Sequence, residues 1–290
     1  MTKVTRALAR IQQLRQEYYQ LMPGQEALLR LVSEAEIPEA VYNSNAIENS
    51  TLTLEETEKI LLQIELDRYI SERELFETKN LARVVSYIEN KVKESDLTLE
   101  LILTLHKMLI SNIRDEVAGR FRTGNEFVRV GSHIAPAPKL VVPQLTQMIQ
   151  QYLGVPSQNI ISRLALLHLT FEHIHPFVDG NGRIGRSILN FLLLREGYVP
   201  INIKFIDRKL YYAGFKEFDK SGATGIMELI IARALTNSYH KRLAYLKHQE
   251  IIKLSDYAKR QKLSHSNLLN KSVRQSIPAF LEKGIWKIGL

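Results

Sequence analysis

Between His175 and Arg186, in the run HPFVDGNGRIGR, one imidazole, one carboxylate, three glycines and two arginines fall within twelve residues. His175, with an ordinary pKa of about 6.5, is suited to act as a general base at neutral pH. Asp179 offers a hard oxygen ligand for a Mg²⁺ that also touches substrate phosphates. Asp179-Gly180-Asn181-Gly182 signals a tight turn, because Gly and Asn tolerate positive φ. Its glycines leave backbone N–H groups unobstructed where a helix begins, and such a terminus binds anions, phosphate above all. Arg183 and Arg186 stand three apart, so both are expected to project from one side of the first turn and grip further phosphate oxygens. A lone His-Pro is usually a helix end and a lone Asn-Gly usually a turn. Joined in this order, the parts describe phosphoryl or nucleotidyl transfer.

The elements that must position these groups lie on either side. Residues 160–171 (IISRLALLHLTF) and 188–194 (ILNFLLL) are apolar on nearly every face, which predicts two helices inside the protein. Pro176 lacks an N–H and restricts His175 toward extended backbone, so the first helix is expected to end there. Further helices are expected over 4–33, broken at Met22-Pro23-Gly24, with Pro38 as another boundary. Residues 43–49 read alone as a loop or a frayed helix. Thr53-Leu-Glu-Glu56 is a capping box, and residues 55–93 and 97–110 are helical by spacing, as is 144–153. His106 and His168 read as core histidines. Three imidazoles at His168, His173 and His175 are not spaced to converge on zinc from one helix face. From Gly119 the period changes toward two: Phe127–Val130 and Leu140–Val142 read as a β-hairpin bounded by Gly and Pro. Asp207–Tyr212 leads into a long helix over 228–248.

At 290 residues and 45% hydrophobic, the chain has material for a large core. Cysteine is absent, which removes disulfides and thiolate metal sites. No apolar run reaches a membrane-spanning length of about 18 residues, and a cytoplasmic protein without a membrane partner is expected. The net charge of +8 is uneven. Residues 251–290 carry eight Lys/Arg against Asp256 and Glu282, so the rest is nearly balanced. This segment has helix–turn–helix spacing over 254–269 and a β-like end at Ile285–Ile288. A basic partner surface, for nucleic acid, would lie there, though a solvated face or a docking element has the same composition.

His175 to Arg186 match HPF-x-[DE]-GNGR-x-x-R, the signature of Fic proteins, without a departure. The chain resembles that family over roughly residues 40–240. The resemblance implies a mainly α fold: a compact helical Fic core with a β-hairpin flap, plus a small C-terminal helix-turn-helix-like module. The expected segments are 1–95, 96–248 and 250–290. It also implies protein adenylylation, with AMP passing from ATP to a Ser, Thr or Tyr hydroxyl. His175 would be the catalytic base, Asp179 the Mg²⁺ ligand, and Gly180, Asn181, Gly182, Arg183, Ile184, Gly185 and Arg186 the nucleotide-binding stretch. Tyr212 would lie against the adenosine, although packing alone accounts for Tyr211 and Tyr212. Ser44-Asn-Ala-Ile-Glu48-Asn49 matches [ST]-x-x-x-E-[GN], the family's inhibitory motif. A Glu48–Arg186 pair would occupy the guanidinium meant for the γ-phosphate and oppose an incoming triphosphate. Val130, Gly131, Ser132 and His133 fall on the flap, which in the family pairs with an extended piece of the target protein. A second copy of the chain is a further candidate partner. Removal of AMP, transfer of another moiety, and a DNA-binding regulator that senses nucleotide are the competing readings. No G-x₄-GK[ST] occurs, so the P-loop class is excluded.

Overall fold

Apolar spacing and local caps decide where the helices of this chain begin and end. The computed structural model describes residues 3–130, 133–155 and 159–290. The chain divides into two compact units: residues 37–198 with 203–230, and residues 1–36 with 199–202 and 231–290. This division cuts across the three segments expected from sequence.

Helix α1 (Lys3–Leu21) and helix α2 (Glu26–Ile47) are separated at the expected break. Pro38 lies inside α2 and does not end it. An internal proline costs about 3 kcal/mol; burial of Leu29, Val32, Val41 and Ile47 on either side offsets that cost. α2 also absorbs residues 43–47. The helical reading of 55–93 is corrected to two helices, α3 (Leu54–Leu61) and α4 (Glu72–Lys91), joined by a non-helical stretch. Thr53 and Glu56 form the capping box of α3, and Ser71 caps α4. Each such cap contributes about 1 kcal/mol. Helix α5 (Leu99–Ile110) follows, capped by Thr98.

The hairpin is shorter than expected. Strand β1 (Arg129–Val130) pairs with β2 (His133–Ile134), with Val130 opposite His133. Gly131 and Ser132 lie outside the described residues. Leu140–Val142 is corrected from strand to helix: a 3₁₀ turn at Pro138–Leu140 leads into α6 (Val141–Gly154). The buried positions Val141, Leu145, Met148, Ile149 and Tyr152 follow a helical period that outweighs the β-branched start.

The central pair is α7 (Ile160–Ile174) and α8 (Asn181–Arg195). α7 packs on α6 and α8, and α4 packs on α5 and α8. Leu164, Ala165, Phe171, Ile188, Leu189 and Leu193 are wholly buried, each larger side chain contributing about 2 kcal/mol. Asn159 caps α7, its Oδ1 accepting from Ile161 and Ser162 N–H groups. At the other end His175 adopts left-handed backbone (φ 48°, ψ 63°) rather than the extended form expected before proline. Its N–H closes the last turn onto Phe171 O (2.9 Å).

Arg122 holds that turn. Its Nε donates to His175 O (2.7 Å), Nη1 to Glu126 O (2.9 Å), and Nη2 to Pro136 O (3.0 Å) and Ile174 O (3.1 Å). Its backbone N–H donates to Pro176 O (2.9 Å). Helix α9 (Arg208–Ser221) completes this unit against α7, reached through a 3₁₀ turn at Phe205–Asp207.

The other unit contains most of α10 (Gly225–Leu246) and a C-terminal segment with its own small core. There β3 (Ile251–Lys253), β4 (Ala279–Glu282) and β5 (Ile285–Gly289) form an antiparallel sheet in the order β3-β5-β4. Helices α11 (Leu254–Arg260) and α12 (His265–Val273) pack on it through Leu254, Ala258 and Leu268. Among the described residues, no helix is long and apolar enough to cross a membrane.

Arg122→Ala leaves several buried carbonyls without donors, a loss of about 3 kcal/mol by analogy with other buried charge-assisted bonds. Thermal denaturation of Arg122→Ala should show that loss, and Arg122→Lys should recover less than half of it, because one ammonium cannot reach four carbonyls.

Candidate active site

His175 is fixed by its left-handed backbone, and its ring Nδ1 lies 3.3 Å from Glu172 O. Nδ1–H donates to that carbonyl, which leaves the Nε2 lone pair available. Burial is the main cause that pushes the imidazole pKa down to about 4; the Glu172 carbonyl opposes this and Arg122 adds to it. His175 is therefore neutral at pH 7.

Gly180 opens α8 with φ 83°, a conformation that glycine adopts without strain, and supplies no capping side chain. Asn181 staples the turn: its Oδ1 accepts from Phe177 N and its Nδ2 donates to Phe177 O, both at 2.9 Å. Both side-chain groups of Asn181 are thus engaged with the backbone of the turn. Ile184 is fully buried and its N–H is bonded to Gly180 O. Gly185 is likewise a packing residue, since a Cβ there would lie 2.6 Å from Glu172 Oε1. At Gly182 a Cβ would collide with Glu48 Oε1.

The two arginines take different partners, in place of the common face expected. Three residues on a helix leave an offset of about 60°, enough here to separate them. Arg186 Nε donates to Ser44 Oγ (2.9 Å), and Nη2 to Ser44 O (2.8 Å) and Glu48 Oε1 (2.9 Å). Its Nη1 donates to the hydroxyl of Tyr211 (3.2 Å), which in turn meets His168 Nε2 (2.7 Å). Asn49, next in the motif, is a left-handed residue whose Oδ1 accepts from Arg208 (2.6 Å).

Arg183 belongs to a ring of four alternating charges. Arg183 Nη2 reaches Asp179 Oδ1 (3.1 Å), and its Nη1 reaches Glu77 Oε1 (2.9 Å). Arg73 Nε reaches the same Glu77 oxygen (3.1 Å), and its Nη2 closes the ring on Asp179 Oδ2 (2.6 Å). Burial opposes ionisation of Asp179, but Arg183 and Arg73 outweigh it and hold the carboxyl below its ordinary value. His106 Nε2 pins the backbone beneath, 3.1 Å from Asp179 O.

A cavity of ≈ 250 Å³ is lined by His175, Glu172, Gly182, Glu48 and Tyr212, with Val130 and His133 from the hairpin. A second, of ≈ 260 Å³, is lined by Asp179, Gly180, Arg73, Glu77, Arg183 and again Glu48. Tyr212 presents its ring to the first while its hydroxyl donates to Ile47 O (3.2 Å). Together the walls supply a neutral imidazole, a helix N-terminus and the guanidinium pair of Arg73 and Arg183, the requirements for activating a hydroxyl beside a phosphate chain. Asp179 suits a Mg²⁺ brought in with phosphates, which needs only one or two carboxylates. Both its oxygens are held by guanidinium groups, so a metal would have to exchange with Arg73.

Sequence reasoning missed Arg73, Glu77, Glu172 and the role of Tyr211. Arg73 and Glu77 look like any exposed i,i+4 helix pair. Glu172 adjoins the motif but gives no local sign of being buried beside Glu48 and Arg186.

Residues 96–193 match the family model described as Fic/DOC family. The protein adenylyltransferase Fic of Nematostella vectensis is 30% identical over 212 residues, 71% of this chain and 48% of that protein. The chain spans about half the length of this curated relative. Fic-1 (residues 134–508) from C. elegans superposes with a TM-score of 0.73 at 26% identity, covering 84% of this chain and 73% of that one. A Fic domain containing signaling protein from Bacteroides thetaiotaomicron has a TM-score of 0.74 at 24% identity, covering 83% and 97%. At that identity the likeness speaks for the fold.

Glu172 generates a pH prediction. Burial first, then the charge of Glu48, raises its pKa from 4.5 to about 8, with Arg186 opposing. The folded state thus keeps a proton that the unfolded chain releases above pH 4.5. The stabilisation is complete below that pH and is lost as pH rises through about 8. In EDTA, the Tm of the wild type should fall by about 5 °C relative to Glu172→Gln between pH 5 and 8.5, the scale expected for several kcal/mol in a chain of this size.

Proposed function

This chain is a member of the Fic/DOC family through its domain at residues 96–193, and from that premise we propose that it is a protein adenylyltransferase, acting on a Ser, Thr or Tyr hydroxyl of a target protein with ATP as donor. The observation that carries the reading is that His175 and Gly182, at the start of α8, line one cavity. The curated relatives named protein adenylyltransferase support the donor.

In the proposed reaction Nε2 of His175 takes the proton from the target hydroxyl as that oxygen bonds to the α-phosphorus. The bond from the α-phosphorus to the bridging oxygen of the β-phosphate breaks, and pyrophosphate leaves. A base that is neutral down to about pH 4 is ready for this without prior deprotonation. The backbone at Asn181 and Gly182 faces the α-phosphate, where the helix terminus favours developing negative charge. Asp179 would hold Mg²⁺, which when bound offsets charge on the phosphates; Arg183 and Glu77 keep Asp179 oriented. Arg186 serves the γ-phosphate once Glu48 releases it, and the Glu48–Arg186 pair is the brake. The ring of Tyr212 bounds the adenosine side. The short β1–β2 hairpin offers its edge to an extended target segment.

Removal of AMP is a second reading with one observation in its favour. Glu48 lines both cavities and its side chain is 34% exposed, so its carboxylate is accessible to a water as well as to Arg186.

The test uses ATP labelled at the α-phosphate, with Mg²⁺, on wild type, Glu48→Gly and Glu48→Gly/His175→Ala. Label on protein should rise at least tenfold in Glu48→Gly and vanish when His175 is also removed. Absence of label in all three overturns AMP transfer, and release of AMP from a pre-modified target by the wild type would then favour removal.

The C-terminal basic segment supports a nucleic-acid partner, since Lys253, Lys259, Lys262, Lys271, Arg274 and Lys283 are all exposed. Fluorescence anisotropy of the whole chain with duplex DNA should show affinity falling steeply between 50 and 200 mM salt. A signal unchanged by Lys259→Ala/Lys262→Ala/Lys271→Ala counts against this surface.

A further inference from the structure

His133, His173 and Asp219 come from β2, the last turn of α7, and α9, and each places one ligand atom within 4.8 Å of the other two. His173 Nδ1 is 3.0 Å and His133 Nδ1 is 4.0 Å from Asp219 Oδ1. The imidazole rings stand 4.2 Å apart at 38°. We propose that these residues form a binding site for one Zn²⁺ that ties the hairpin to the wall of the His175 cavity.

The donor types select the ion. Two imidazoles and one carboxylate suit Zn²⁺ or Co²⁺, whereas Mg²⁺ prefers all-oxygen surroundings. Ligand atoms about 2.0–2.2 Å from a tetrahedral zinc lie about 3.3 Å from one another. The two distances to Asp219 bracket that value.

A second feature points the same way. His133 Nε2 lies 2.8 Å from His173 O. Nε2–H donates to that carbonyl, which leaves the lone pair on Nδ1, the atom nearer Asp219. Metal-bound histidines are oriented in this manner by a backbone acceptor on the other nitrogen. The backbone of one ligand thus sets the tautomer of the other. Without metal, the same residues make an ordinary half-exposed His173–Asp219 pair, which by itself would leave the tautomer of His133 serving no purpose.

The consequence follows from position. All three residues line the cavity that contains His175. His173 stands two residues before His175, and α9 also carries Tyr211 and Tyr212. A zinc here joins the flap strand, the end of α7 and the adenosine-side helix at one point. It adds two positive charges to a lining that also holds Lys216, Glu172 and Glu48. Binding itself does not depend on the proposed reaction; its effect on target access does.

The test uses the full chain stripped with a chelator. Zn²⁺ is titrated in competition with a chromophoric chelator, and Co²⁺ is added separately to read the visible absorption of a tetrahedral site. One equivalent of Zn²⁺ should bind with micromolar or tighter affinity. His133→Ala, His173→Ala and Asp219→Asn should each weaken it tenfold or more, and His175→Ala should leave it unchanged. Far-UV circular dichroism checks that each variant is folded. Undiminished binding in any one of the first three, loss in His175→Ala, or no binding below 100 µM overturns the site (thresholds on the order of those for three-ligand sites). Hydrogen exchange at Val130 and Ile134 should slow with Zn²⁺, and an unchanged rate overturns the tie to the hairpin.

Discussion

The position of His175 depends on the guanidinium of Arg122. A helix as buried as α7 ends with carbonyl groups that water does not reach, and Pro176 prevents the chain from continuing in the helix. The carbonyls of Ile174, His175 and Pro176 all point to Arg122, through its side chain or its N–H. That clamp makes a positive φ tolerable at a histidine, a conformation that costs on the order of 1–2 kcal/mol. The same guanidinium bonds Glu126 O and Pro136 O, on either side of the hairpin. The imidazole and the hairpin therefore share one anchor, and a change in either is felt at the other.

Much of this was legible in local sequence, and what was not has a common cause. The burial of α7 and α8, the capping box at Thr53, and the turn at Gly180 are properties of a few neighbouring residues. Pro38 and Leu140–Val142 were misread because tertiary packing outweighed a local breaker in one case and a local strand preference in the other. Ile184 and Gly185 sat inside a functional motif, yet their side-chain positions face the core. Arg73, Glu77 and Asp219 could not be found at all. Each is an ordinary polar residue on a helix whose partner lies far along the chain: Asp179 is 106 residues from Arg73, and His173 is 46 from Asp219. Charge pairing across such distances leaves no period or spacing to detect.

The two arginines of the loop are both buried and both paired with carboxylates. Buried guanidinium groups need partners, because an isolated charge in the interior costs several kcal/mol. Arg186 is 7% exposed and Arg183 3%, so neither can turn to water. Protein carboxylates meet that need: Glu48 at Arg186, and Asp179 with Glu77 at Arg183. The partners are not equally committed. Glu77 is held by two arginines and its side chain is 11% exposed, whereas Glu48 has one and is 34% exposed.

That asymmetry makes Glu48 the contact that would yield in the proposed brake. A carboxylate that is one-third solvated recovers most of its hydration on leaving, so its release costs far less than release of the guanidinium it covers. Arg186 also bonds Ser44 and Tyr211, so two of its contacts do not involve the Glu48 carboxylate. Gly182 is what lets Glu48 lie there, because a side chain at that position would occupy the place of Glu48 Oε1. In the proposed brake, departure of Glu48 would open space beside Gly182 at the start of α8. A partner that binds residues 44–49 in any arrangement lacking the Glu48 contact would shift the equilibrium by its differential affinity for that arrangement, and by no more than that.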